Sequence, residues 1–271
     1  MKKWILAFVF AICSLAFAAG KDFRIVSLNP ALTEILFALD LGKQIIGTTT
    51  FSDFPAEAKK IPHVGSYLKP NIEKIISLKP TQVLVFKEGD PTIKDALEKA
   101  RIPLTVFDDL TIAGFPKLVK TLGHSYGKED EAERLVHAWD DQIDQLTKLK
   151  ISKKFMVQVD HNPIFVAGAN TFLSEIFEKC GLRNVFSNVD GFKRVSEETV
   201  MNHKPDIIIV VGQLHESINF YDVKKFWGSN PSLNSTYVLA APADTLSRLG
   251  PRLPEATLQI CKQISALYKN H

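Results

Sequence analysis

The sequence predicts an α/β protein of two Rossmann-like lobes with mainly parallel sheets, joined by one long rigid helix. Three observations predict it. A unit of capped short helix, Lys-Pro stop and apolar strand occurs twice, at Asn71 to Phe86 and at Ser196 to Val210. Strands alternate with helices throughout, the pattern of parallel sheets covered by helices. Between the halves, Glu129 to Lys150 contains no Gly or Pro and carries Ala132, Leu135, Val136, Trp139, Ile143 and Leu146 at helical spacing. The alternative for that stretch is one more packed helix of a single undivided domain.

Composition agrees with a packed chain. With 271 residues, 45% apolar and 23% charged, the protein can bury a sizeable core and is neither disordered nor fibrous. A net charge of +3 gives no electrostatic case for nucleic acid as a partner.

Lys2 and Lys3 precede an apolar run from Trp4 to Leu15, then small residues at Ala16, Ala18 and Ala19. That order is expected of a secretory signal peptide over residues 1–19, and the run is too short to span a bilayer. Ile12 before Cys13 does not suit lipid attachment. The N-terminal lobe is expected over residues 22–120, with strands at Arg24 to Leu28, Ile45 to Thr48 and Val83 to Phe86. The connecting helix is expected over 128–150 and the C-terminal lobe over 151–271, with strands at Phe155 to Val159, Ile207 to Val210 and Tyr237 to Leu239. A second echo pairs Asn29-Pro30-Ala31-Leu32-Thr33-Glu34-Ile35 with Asn170-Thr171-Phe172-Leu173-Ser174-Glu175-Ile176, each read as an Asn-capped helix.

Cys180 and Cys261 remain after signal removal. In an oxidising compartment two leftover cysteines pair, here as a staple between two helices; two buried free thiols are the alternative. Ligands of open α/β sheets bind beyond the carboxyl ends of strands. The loops there hold Phe51-Ser52-Asp53-Phe54-Pro55, Gly65-Ser66-Tyr67, Phe86 with Gly89-Asp90, Asn162-Pro163-Ile164-Phe165, Gly191-Phe192, and Asp244 with Arg248. Aromatics on both halves point to a flat organic ligand clamped between them, although each alone could be a loop anchor on the core. No nucleophile elbow, phosphate loop or His-Glu-x-x-His occurs, and no two of the seven histidines are four residues apart. Catalysis and a tight metal site are not indicated. A secreted hydrolase or chelatase using His161 and Asp244 is the remaining alternative class.

Arg24-Ile25-Val26-Ser27-Leu28-Asn29-Pro30, Phe51 to Pro55, Asn71 to Ile75, Leu78-Lys79-Pro80, Asn162-Pro163, Val195 to Glu198 and Pro251-Arg252 together resemble the periplasmic binding proteins of iron–siderophore, haem and cobalamin ABC importers. The resemblance covers essentially the whole chain after the signal peptide and is nearest to the cobalamin branch. It implies a class III periplasmic binding fold, capture of cobalamin or a related corrinoid, and no catalytic cofactor. It also implies a monomer delivering its ligand to a dimeric permease. By position, Phe51, Tyr67, Phe86, Phe165 and Phe192 would line the corrin pocket, and Asp244 and Arg248 would lie near polar groups of the ligand. Glu73 and Glu198 would engage the two permease subunits, a pairing that suits the repeat itself; each could equally be a helix-dipole partner in a first turn. Tyr67, Phe86 and Phe192 stand where the family has tryptophans, so another tetrapyrrole, haem above all, is the alternative, and a siderophore is the other ligand class the family implies. Tyr67 lies near the axial tyrosine of haem-binding relatives, one residue off in its spacing to Glu73.

Overall fold

The computed structural model describes residues 23–87, 92–211 and 220–269. The expected signal peptide and the Gly89-Asp90 pair lie outside the described residues.

Two sheets form. In the first, β1 (Ile25–Ser27), β2 (Ile45–Thr48), β3 (Gln82–Phe86) and β4 (Leu104–Phe107) run parallel in the order β2-β1-β3-β4. The second is β10-β9-β5-β6-β8, where β5 (Lys154–His161), β9 (Ile207–Val211) and β10 (Tyr237–Ala241) are parallel. Here β6 (Ile164–Ala167) returns antiparallel to β5 and β8 (Phe192–Arg194) antiparallel to β6, while the two-residue β7 (Arg183–Asn184) pairs with β5. The Asn162-Pro163 segment, read from sequence as a loop after a strand, is the turn of a hairpin.

Among the described residues ten α-helices accompany these sheets: α1 (Pro30–Ala38), α2 (Ile72–Ser77), α3 (Ile93–Lys99), α4 (Phe115–Tyr126), α5 (Glu129–Thr147), α6 (Phe172–Glu178), α7 (Glu197–His203), α8 (Phe220–Gly228), α9 (Ala243–Leu246) and α10 (Leu253–Lys269). The repeated unit folds alike in both lobes. Asn71 Oδ1 accepts from the Lys74 amide at the start of α2, and Ser196 Oγ accepts from the Thr199 amide at the start of α7. Each helix then leaves through a lysine in the left-handed region, Lys79 at φ 50° and Lys204 at φ 46°, and the following proline prevents its continuation.

Two expectations need correction. Asn29 caps α1 as expected, but α6 is capped by Thr171, whose Oγ1 accepts from the Ser174 amide. Asn170 takes φ 58° instead and donates to Asp190, so the echo places the right helix one residue early. The connecting helix spans Glu129–Thr147 rather than 128–150, about 28 Å at 1.5 Å per residue.

Strand alternation sorts the core into three clusters. Val26, Val83 and Val85 face one side of the N-terminal sheet with Ile75 and Leu97. Met156, Val166, Ile208 and Val210 face one side of the C-terminal sheet with Val200, Val223 and Trp227. The residues between them, Ile25, Leu84 and Phe86 in one sheet and Phe155, Val157, Ile207 and Ile209 in the other, belong to a single third cluster. Leu122, Trp139, Ile176 and Ile264 complete it, so one core passes from lobe to lobe through α4, α5, α6 and α10. Trp139 of α5 stacks on Phe115 of α4 with ring centroids 3.7 Å apart. Cys180, just past α6, is bonded to Cys261 of α10 across 81 residues of chain, the expected staple.

Candidate functional site

The two lobes meet at loops beyond the carboxyl ends of their strands. After β2 the chain turns through Thr49 to Pro55, and after β10 it passes through α9 and a tight turn to Arg252. The first loop is fastened from below by buried hydroxyls. Thr33 of α1 donates to Ser27 Oγ at 2.9 Å and reaches Ser52 Oγ at 3.2 Å, and Ser52 is 3.1 Å from Thr49 Oγ1. These polar groups satisfy one another out of water.

From the opposite lobe, Arg248 Nη2 donates to the Phe51 carbonyl at 2.8 Å, while its Nη1 pairs with Asp53 at 2.8 Å and Glu34 at 2.9 Å. Arg252 forks onto Glu34, with Nη2 on Oε1 at 2.7 Å and Nε on Oε2 at 2.9 Å. Its Nη1 pairs with Asp244 at 3.1 Å, and its guanidinium lies 3.9 Å over the Phe54 ring. The Glu34 side chain is 2% exposed and that of Arg248 10%. Burial pulls the Arg252 pKa down, but the hydrogen bonds and charges of Glu34 and Asp244 more than offset it and hold the group above its ordinary value. A Cβ on Gly250 would lie 3.3 Å from Glu34 Oε2, so the small residue there permits the close approach of the turn to α1.

A second contact mirrors this one. Glu175 of α6, five residues after Asn170 as Glu34 is five after Asn29, accepts from the Ile112 amide at 2.8 Å, between β4 and α4 of the other lobe. Each half thus sends the carboxylate of its first helix across the boundary.

The nominated residues fall into distinct environments. Phe51 (57% exposed) and Phe192 (43% exposed) present their rings to solvent, one from each lobe. Tyr67 and Phe165 are half-buried, the latter against the shared core. Phe86, at 5% exposed, is a core residue at the end of β3 rather than an open pocket wall. Asp244 is exposed but paired with Arg252, and Arg248 is committed to Glu34, Asp53 and the Phe51 carbonyl. Glu73 and Glu198 are both exposed at the second position of their helices. His161 sits against the Phe226 ring with Nδ1 3.1 Å from Gln158 Nε2, and Gln158 in turn accepts from the buried Trp227 indole. Among the described residues no three His, Cys, Asp or Glu side chains are grouped to hold a metal ion. A cavity of about 500 Å³ between β3, β4 and α4 is lined by Phe23, Gln82, Leu84, Phe107 and Tyr126, and by none of the nominated residues.

Sequence reasoning missed Glu34 and Arg252 as site-building residues. For Glu34 the available signal was the repeat, which carries a glutamate at the same place in both halves.

The sequence profile of the periplasmic binding protein family matches residues 25–236. A vitamin B12-binding protein of Pectobacterium carotovorum is 32% identical over 94% of this chain and 92% of its own length. The crystal structure of the periplasmic vitamin B12 binding protein of Vibrio cholerae superposes with a TM-score of 0.77 at 26% identity, over 90% of this chain and 97% of that one. A possible iron-binding, periplasmic solute-binding protein of Staphylococcus epidermidis superposes at 0.75 and 26% identity, over 90% and 99%. These are binding proteins, not enzymes, and they give a hydrolase or chelatase no support.

Proposed function

This chain belongs to the periplasmic binding protein family, and from that premise we propose that it works in the periplasm, capturing cobalamin or a related corrinoid between its lobes and delivering it to an ABC importer. The observation that carries the corrinoid reading is the extent of the likeness to a vitamin B12-binding relative, 32% identity across 94% of the chain. One exposed ring on each lobe, Phe51 and Phe192, suits such a ligand, because a flat macrocycle gains most from apolar and stacking contact. Phe51 and Phe192 would grip it from opposite lobes, with Tyr67 and Phe165 extending the walls, Phe86 backing them from the core and Asp244 meeting polar substituents. Arg248 serves the cleft from behind, through the loop it holds. No bond is made or broken.

Glu73 and Glu198 are the contacts to the two permease subunits. Their support is the repeat, which gives each lobe one exposed carboxylate in the same local frame. The chain acts as a monomer after loss of residues 1–19.

Titration of the mature protein with cyanocobalamin tests the ligand. Saturable binding at micromolar concentration or below is expected. No binding to cyanocobalamin, together with a shifted Soret band on adding haem, would overturn the corrinoid reading in favour of haem. Reversing the charge of Glu73 and Glu198 together should abolish uptake through the importer and leave ligand affinity unchanged.

A further inference from the structure

We propose that Glu34 is a positioning residue for ligand capture: by holding Arg248 and Arg252 across the lobe boundary, it fixes the loop that carries Phe51 and hence the aperture of the cleft. The proposal rests on the cleft being the ligand site.

Glu34 is almost fully buried and receives three charged hydrogen bonds from two arginines more than two hundred residues away. Buried ion pairs add little net stability, because desolvation offsets most of their attraction, yet removing one partner is costly. What such a cluster supplies is geometry. The Arg252 guanidinium, forked onto Glu34, has a defined plane that lays it over Phe54, while Glu34 and Asp53 together hold Arg248 Nη1 so that its Nη2 meets the Phe51 carbonyl. The Phe51 ring itself remains exposed, so its backbone is held while its face stays free for a ligand. Rigidity of this kind raises affinity by reducing what must be ordered on binding. Glu175 and the Ile112 amide make the corresponding contact at the other junction, so the lobes are tied at two places besides the shared core.

Hydrogen–deuterium exchange of the ligand-free mature protein reads the tether directly. The amides of Ser52, Asp53, Leu246 and Gly250, which donate within the two segments, and that of Thr50, which donates to the Gly65 carbonyl, are the reporters. In Glu34→Gln they should exchange about tenfold faster, while β5 and β9 keep their wild-type rates. In Arg248→Lys, which keeps the charge but has one nitrogen where two joined Glu34 and Asp53 to the Phe51 carbonyl, acceleration should be confined to Thr50 to Asp53. Affinity for cyanocobalamin should fall about tenfold in both variants, through faster release.

Reporter exchange within about twofold of wild type in these variants, or raised equally across all strands, would overturn the proposal. Loosened reporters with unchanged affinity would overturn the positioning role. If Glu34→Gln does not fold, Arg248→Lys decides alone by the same readouts. If wild-type protein binds no cyanocobalamin, the affinity arm is read with haem. Segment-confined exchange with weakened haem binding then supports the tether while the corrinoid reading falls.

Discussion

The two lobes begin from the same folding unit and are completed differently. The N-terminal sheet is all parallel, contains no cysteine, and fastens its outermost loop with buried hydroxyls and with arginines borrowed from the other lobe. The C-terminal sheet adds an antiparallel hairpin and β8, and ties α6 to α10 by a disulfide. The difference teaches that local sequence fixes the repeated helix and strand, whereas each lobe's finish depends on what it must be joined to. The N-terminal lobe leans on its neighbour, and the C-terminal lobe is stapled internally.

Four measurements would break or sharpen that contrast. Trp139→Ala removes a stacked ring from the core common to both lobes and should cost about 3–5 kcal/mol. Thermal unfolding should remain one transition, since neither lobe keeps a complete core; two separated transitions would show the lobes to be independent. Replacing both Cys180 and Cys261 by Ser should cost roughly 4 kcal/mol on the loop-closure account for an 81-residue separation. Exchange in the C-terminal lobe should rise first, and an equal rise in β1 to β4 would contradict internal stapling.

The equivalent caps offer a matched pair. Asn71→Ala and Ser196→Ala should each lower stability by about 1 kcal/mol, read by urea denaturation. Unequal losses would mean that the repeat is alike in backbone but not in energetics.

The smallest effect is alkaline. Burial pushes Tyr126, beside the N-terminal sheet, up from 10.0 to about 12. Burial, with the charges of Asp206 and Tyr237, does the same to Tyr268 of α10. A phenol whose pKa is higher folded than unfolded contributes stability that is complete below pH 10 and is lost as the pH climbs through about 12. Tyr126→Phe and Tyr268→Phe should each flatten part of that decline, read as denaturation midpoints between about pH 10 and 12.

Much of the scaffold was legible because its signals are local. Asn71 and Ser196 cap helices through their own side chains, and Lys-Pro ends them, so short windows sufficed. Asn170 misled because Thr171 beside it caps equally well, and the backbone sends the asparagine into the left-handed region instead. The β5–β6 hairpin was missed because β6, paired on both sides by β5 and β8 and largely buried, shows no alternation distinct from that of a parallel strand. The site was legible as a set of loops but not as a set of contacts. Phe86 has the composition of a pocket residue and the burial of a core residue, and sequence alone does not separate the two. Arg248 reads as a ligand contact until Glu34, 214 positions away, is brought beside it by the fold.

A shared core has a consequence for anyone who would cut this molecule. Severing the chain between Thr147 and Ile151 would yield two pieces that each contain a sheet, yet it would divide the one core cluster to which both contribute. Such fragments should reassociate when mixed, or precipitate when kept apart, and neither would persist as a small protein in its own right.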